Sequence, residues 1–202
     1  EYYVADHALS LLADSLGHGD DARLFRDRSL GYRHYYDREF GTLRPINDDG
    51  TFLEPFDPKA GENFTAAPGF HEGSAWNYTF FVPHDVNGLA GLFGSRAAFV
   101  RELDRLFTLE SDEMQLDVSD VTGLMGQYAH GNEPSHHVAY LYNYAGQPWK
   151  TQQYVAHILT NLYNNSFSGY AGNDDCGEMS AWYIFSAMGF YPVNPANGIY
   201  VI

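Results

Sequence analysis

The sequence predicts an all-α fold, and three observations carry that reading. Apolar residues recur near helical spacing through most of the chain, glycine-rich or proline-rich turns separate those stretches, and the longer connections fall on alternate turns. Helical hairpins with elaborated loops on alternate connections predict a toroid of helical hairpins, whose loops gather at one mouth. A two-layer helical array is the competing architecture.

The elements follow in order. Tyr2 to Leu16 carries Val4, Ala8, Leu11, Leu12 and Leu16 near one face, and Gly17 supplies the stop. Asp20 or Asp21 is the expected cap of a second helix to about Tyr36, with Leu24, Phe25 and Tyr32 turned inward; the two make a hairpin. An irregular segment from Phe40 to His71 contains Pro45, Pro55, Pro58 and Pro68 and is too long for a passive connector. Its aromatics Phe52, Phe56, Phe64 and Phe70 predict an ordered loop packed over something.

Helical pattern resumes from Ser74 to Phe81, breaks at Pro83, and continues from Val86 to Phe93 and from Ser95, an expected N-cap, to Leu109. A second loop runs from Glu110 to Glu133. Ser135 is the expected cap of a helix to Tyr144, and Pro148 takes the favoured first position of a helix to about Tyr163. The last helix is expected from about Gly177 to Met188, with Gly189 as its C-terminal stop.

Composition narrows the function classes. A formal net charge of -15 argues against a nucleic-acid partner, because phosphates would be repelled. The 16 tyrosines suit sugar rings, having a flat apolar face and a polar tip, although cores use the same chemistry. The single cysteine, Cys176, excludes an internal disulfide. No apolar run is long enough to span a bilayer, and no signal peptide is present. The opening residues read as a helix in progress and Gly198 to Ile202 as a strand without a partner, so a piece of a larger chain is expected.

Three loop-to-helix junctions concentrate polar groups that are costly to bury without a purpose. The first is His71-Glu72-Gly73-Ser74-Ala75-Trp76-Asn77-Tyr78, continuing to Val82-Pro83-His84-Asp85. The second is Gln127-Tyr128-Ala129-His130-Gly131-Asn132-Glu133-Pro134-Ser135-His136-His137. The third is Gly172-Asn173-Asp174-Asp175-Cys176-Gly177-Glu178-Met179-Ser180-Ala181-Trp182-Tyr183. The third sets two adjacent carboxylates on a glycine-flanked turn before a strongly apolar helix, as a partly desolvated catalytic acid or base at a pocket floor requires. Capping explains any one junction alone. Trp76, Trp149 and Trp182 at helical spacing read as core more readily than as sugar platforms. The histidines lack an HExxH spacing, which turns the reading away from zinc. The Asn-x-Ser/Thr matches at Asn63, Asn77 and Asn164 are not read as glycan sites.

Taken in order, these motifs, with Gly189-Phe190-Tyr191-Pro192, resemble glycoside hydrolase family 92 over nearly the whole chain. The resemblance implies an inverting, calcium-dependent exo-α-mannosidase with an (α/α)6 catalytic toroid. Residues 1-202 would be its C-terminal portion, without the N-terminal β-sandwich and early toroid helices. It implies a mannose-containing glycan as substrate, the remaining segments of the same polypeptide as partners, and a secreted, periplasmic or cell-surface location. Glu72 takes the position of the general acid and Asp175 that of the general base. Asn173 stands where some members carry a second acid, and Asp174 is a supporting neighbour or sugar ligand. Trp76, His136 and His137 join Asn173 and Asp174 as expected substrate contacts, while Asn132 and Glu133 are the expected calcium ligands. Where some α-1,2-specific members have a His-Glu pair, His130 is followed here by Gly131. The rival functions are a calcium-independent helical-toroid glycosidase acting on glucosides and a non-catalytic carbohydrate-binding helical domain.

Overall fold

The structure is a computed structural model and describes residues 1–61, 69–111 and 120–202. The expectations placed on Phe64, Pro68 and the Asn63 sequon lie outside the described residues. Within them run α1 (Tyr2–Ser15), α2 (Gly19–Ser29), α3 (Ala75–Thr79), α4 (Val86–Leu92), α5 (Arg96–Thr108), α6 (Leu141–Tyr144), α7 (Pro148–Asn161) and α8 (Glu178–Met188). Short 3-10 turns occupy Leu30–Tyr35, Glu133–Ser135 and Val138–Tyr140. Among the described residues, strands are confined to two small antiparallel hairpins. β1 (Tyr36–Asp37) pairs with β2 (Thr42–Leu43), Tyr36 opposite Leu43. β3 (Leu124–Met125) pairs with β4 (Tyr128–Ala129), Leu124 opposite Ala129. The all-α reading holds. The closing segment is not left unpaired: Val201 and Tyr191 exchange backbone hydrogen bonds, both 2.9 Å.

The helix punctuation matches local chemistry. Gly17 and Gly189 take left-handed backbone after α1 and α8, and Pro148 opens α7. The Ser95 hydroxyl accepts from Ala98 N at 3.1 Å, and Asp85 caps α4 by accepting from Gly88 N at 2.9 Å.

Two expected caps are corrected. His18, not an aspartate, sits at the N-cap of α2; Asp20 and Asp21 fall within its first turn, where the helix dipole still favours them. Asn132 caps the turn beginning at Glu133, accepting from Glu133 N at 3.2 Å, and Ser135 lies inside that turn. Pro134 brings no N–H to a longer ladder. The chain advances instead by 3-10 steps, such as His136 N to Glu133 O at 3.1 Å, before α6 begins.

The inward face of α1 is also corrected. The side buried against its surroundings carries Asp6, Ser10 and Ala13, whereas Leu12 is 55% and Leu16 65% exposed. Small residues let α1 and α2 approach closely, with Ala13 and Ser10 on one helix and Ala22 and Ser29 on the other all buried. Asp6 pairs with Arg28 at 3.2 Å. Leu24 is likewise exposed rather than inward, while Tyr32 is buried as expected.

The loop after β2 packs over Arg44, which the sequence did not single out. Its guanidinium lies 5.2, 5.3 and 4.9 Å from the ring centres of Phe40, Phe52 and Phe56. It also pairs with Asp37 at 2.9 Å and with Glu54, and donates to the Leu53 carbonyl at 2.8 Å. The main core lies between α3–α7 and α8. Phe80, Leu89, Phe99, Leu103, Tyr128, Tyr142, Ile158 and Trp182 are all fully buried there. This core seats the three polar junctions.

Candidate active site

At the first junction Glu72 lies two residues before Ser74, the N-cap of α3. The Asn77 amide oxygen accepts from Ser74 N at 2.9 Å, and its nitrogen donates to the Gln127 carbonyl at 2.9 Å. One side chain thus closes the helix cap and ties α3 to the β3–β4 hairpin. Glu72 is held with φ of 53°, in the left-handed region. His71 Nε2 stands 3.5 Å from Glu72 Oε1.

The second junction binds the first through a main-chain contact. Asn132 Nδ2 donates to the Glu72 carbonyl oxygen at 2.6 Å. Below it, Tyr128 OH lies 2.8 Å from His130 Nδ1, and His130 Nε2 lies 2.7 Å from Tyr163 OH, which donates to the Met179 carbonyl at 3.3 Å. That order assigns a neutral His130 protonated at Nε2. Burial, followed by the neighbouring His136, pushes its pKa down to about 3.

The third junction is pressed against the second at glycines. A Cβ on Gly172 would lie 2.6 Å from the Gly131 carbonyl oxygen, and one on Gly131 would lie 3.0 Å from the Ala171 carbonyl oxygen. Gly131 and Gly172 are therefore required by backbone approach. Beyond the contact, Asp175, Cys176 and Gly177 take successive φ values of 34°, 56° and 87°. Among the described residues, Glu72, Asp175 and Cys176 are the non-glycine residues with left-handed backbone. Such conformations cost about 1–3 kcal/mol each and persist where their surroundings impose them.

Hydrogen bonds divide the two adjacent acids. Asp174 accepts from Ser180 N at 2.8 Å and from Ser180 Oγ at 2.7 Å. These bonds hold its carboxyl below the usual range. Among the described residues, Asp175 makes no side-chain hydrogen bond, and it is exposed, as is Asn173. The desolvated pocket floor expected at this turn is therefore not seen at Asp175 itself.

Glu178, which the sequence reading passed over, joins the second and third junctions. Its Oε1 stands 3.1 Å from His136 Nδ1, while His136 Nε2 stands 3.0 Å from the His130 carbonyl. Both ring nitrogens face acceptors, so both bonds form when the ring carries two protons or Glu178 carries one. Trp182 Nε1 donates to the His136 carbonyl at 2.8 Å from α8. Glu178 and His136 are separated by 42 positions, so no local signal marks the pair.

Negative charge accumulates at the centre. Burial raises the Glu133 pKa, and the charges of Glu178 and Asp175 raise it further. Burial likewise lifts the Tyr78 hydroxyl well above its ordinary value, with Glu1, Glu72 and Glu133 adding to the effect. A cation here would relieve this repulsion. The donor set fits only one edge of a calcium site. Glu133 offers a carboxylate, but Asn132 is committed to its cap and to Glu72, and no group of three His, Cys, Asp or Glu residues converges among the described residues.

The remaining expected contacts lie deeper. Trp76 is 4% exposed, within the core, with Arg105 over its ring at 5.2 Å, so it presents no open face for a sugar. His137 is buried and lies 2.8 Å from the Phe80 carbonyl, with its pKa pushed down to about 4 by burial. His136 is buried too, reached from outside through Glu178.

A model of the glycosyl hydrolase family 92 catalytic domain matches residues 1–202. The chain belongs to this family. A family 92 α-mannosidase of Bacteroides thetaiotaomicron, solved with mannoimidazole, is 40% identical with a TM-score of 0.92, over 100% of this chain and 27% of that one. A family 92 inverting mannosidase of Bacteroides thetaiotaomicron VPI-5482 is 37% identical with a TM-score of 0.83, over 100% of this chain and 28% of that one. A protein of Arthroderma benhamiae described as an uncharacterized secreted glycosidase is 29% identical over 219 residues, all of this chain and 26% of that protein. The chain thus spans about a quarter of the length of the family 92 relatives it matches. No described helix is long and apolar enough to cross a membrane.

Proposed function

We propose that the protein containing this chain is an exo-acting α-mannosidase that hydrolyses terminal α-linked mannose from glycans with inversion, outside the cytoplasm. Residues 1–202 are then the later part of its (α/α)6 catalytic toroid. The observation that carries the reading is the placement of Glu72 and Asp175. Both are held in left-handed backbone, and both are joined to the Asn132–Glu133 turn, one through the Asn132 amide and the other through the Gly131–Gly172 contact. Membership of family 92 and the mannosidases among the similar structures supply the substrate class.

In this reading the Glu72 carboxylic acid gives its proton to the glycosidic oxygen as the bond to the anomeric carbon breaks. Asp175, whose oxygens are not occupied by neighbouring donors, takes a proton from a water that attacks the opposite face. One water is consumed, the configuration inverts, and the two carboxyls exchange their protonation states. Asp174 holds the turn through Ser180 and does not take part in proton transfer. Calcium belongs to the proposal with Glu133 as one ligand. Its other ligands would be water, sugar hydroxyls and parts of the polypeptide beyond these residues, and no step above depends on it.

The test is turnover of an α-mannoside by the intact enzyme. Glu72→Gln and Asp175→Asn are each expected to lower kcat by about 10²–10⁴, with the first anomer released being β. Asp174→Asn is expected to lower the melting temperature more than either. Undiminished turnover by Glu72→Gln, or initial release of α-mannose, overturns the assignment.

A further inference from the structure

A cavity of about 520 Å³ lies between the β1–β2 turn and α5, a size ordinary for small-molecule pockets. Arg38, Arg101 and Arg105 line it, three of the eleven lysines and arginines in a chain with 26 aspartates and glutamates. None of the three polar junctions contributes to its lining. We infer that this cavity binds a small oxyanion, a phosphate that is either free or carried on a sugar, at a site separate from the acid and base.

The backbone fixes the two charged walls. Asp37 Oδ1 accepts from Glu39 N at 2.8 Å and the Asp37 carbonyl from Gly41 N at 2.8 Å, which closes the turn that carries Arg38. Arg101 and Arg105 stand four residues apart on α5, so they share one side of that helix. Tyr36 lies between the walls, its ring 5.3 Å from that of Phe93 at 69°. Burial raises its pKa; the Glu102 charge adds to that shift and the Arg38 charge opposes it. The turn and α5 thus act on one hydroxyl from both sides.

The balance of charge selects the ligand. Glu102 is taken up by Arg105 at 2.8 Å, and Arg105 also covers the Trp76 ring at 5.2 Å. Arg38 and Arg101 are exposed and, among the described residues, make neither an ion pair nor a hydrogen bond. By contrast Arg23, Arg28, Arg33, Arg44 and Lys150 each meet a carboxylate. Two planar guanidinium groups without partners match the paired oxygens of a phosphate. Glu39 is the other acid at the wall, so the lining keeps one net positive charge. The formal charge of -15 on the whole chain repels an extended polyanion, which restricts the occupant to a small one.

The experiment is calorimetry on the intact enzyme at low salt with inorganic phosphate, glucose 6-phosphate and glucose. Phosphate is expected to bind with a Kd of about 1 mM, weakening as salt rises, and glucose not to bind. Tighter binding of glucose 6-phosphate supports a sugar-borne phosphate, with the ring beside Tyr36 and Phe93; equal binding supports free phosphate. Arg38→Gln and Arg101→Gln are expected to weaken phosphate at least about tenfold. Arg23→Gln removes the same charge outside the cavity and is expected to leave binding unchanged. Phosphate binding no stronger than that of glucose, or equal losses in Arg23→Gln and Arg101→Gln, overturns the assignment. Should the arginine variants fail to fold, Glu39→Gln decides: stronger binding, by about threefold, supports the site, and unchanged or weaker binding overturns it. No readout requires turnover, so the result is independent of the mannosidase reading.

Discussion

The side-chain amide of Asn132 donates to the main-chain carbonyl of Glu72 across 2.6 Å, so the residue expected to hold a metal also fixes the backbone of the expected acid. Asn132→Ala leaves that carbonyl without its donor and removes the cap of the following turn. The expected cost is about 1–3 kcal/mol of stability, and displacement of Glu72 by even 1 Å is expected to lower kcat by about 100-fold. Urea unfolding and steady-state kinetics of the intact enzyme read the two effects separately. Wild-type kcat in a destabilised variant would show that the contact serves folding alone.

Gly172→Ala tests the contact between the second and third junctions. Its Cβ would stand 2.6 Å from the Gly131 carbonyl, so backbone must shift, at an expected cost of about 1–3 kcal/mol together with loss of turnover. Gly19→Ala, where nothing lies within 4 Å, is the control and is expected to leave both unchanged. Equal melting temperatures for the two variants would remove the close approach as the reason for glycine at 172.

Acid sensitivity follows from His137. Burial holds its folded pKa down at about 4, against about 6.5 in an unfolded chain. As pH falls the unfolded state takes up the proton first. This contribution to stability is therefore whole above about pH 6.5 and is lost as pH falls toward 4, by about 1.4 kcal/mol per pH unit. Urea midpoints between pH 7 and pH 5 should decline more steeply in the unaltered protein than in His137→Gln. Parallel declines would rule His137 out as their source.

Calcium removal gives a separate outcome. Chelation is expected to suppress mannoside turnover in the intact enzyme, calcium to restore it, and Glu133→Gln to weaken calcium binding at least about tenfold by calorimetry. Turnover indifferent to chelator would sink the metal proposal while leaving the acid and base assignments standing.

What the sequence made legible was local. Gly17, Pro148 and Gly189 mark helix ends because φ and the missing N–H act within a turn. Periodicity ranks apolarity and so points to the wrong face of α1, whereas the close approach to α2 selects Ser10 and Ala13. Arg44 was invisible since Asp37, Leu53, Glu54 and three rings give it meaning only after the loop folds. In the site, Glu72, Asp174 and Asp175 stood out because they lie in compact motifs. The His136–Glu178 bridge did not, because it is assembled from segments far apart in the chain.

Glu72 and Asp175 both occupy backbone that glycine would adopt without penalty. Heat-tolerance screening that scores only survival of the fold would therefore reward glycine at both positions, and under the roles proposed above the hardiest clones would be dead enzymes. A library built on this domain should be sorted on product release first and on melting behaviour second.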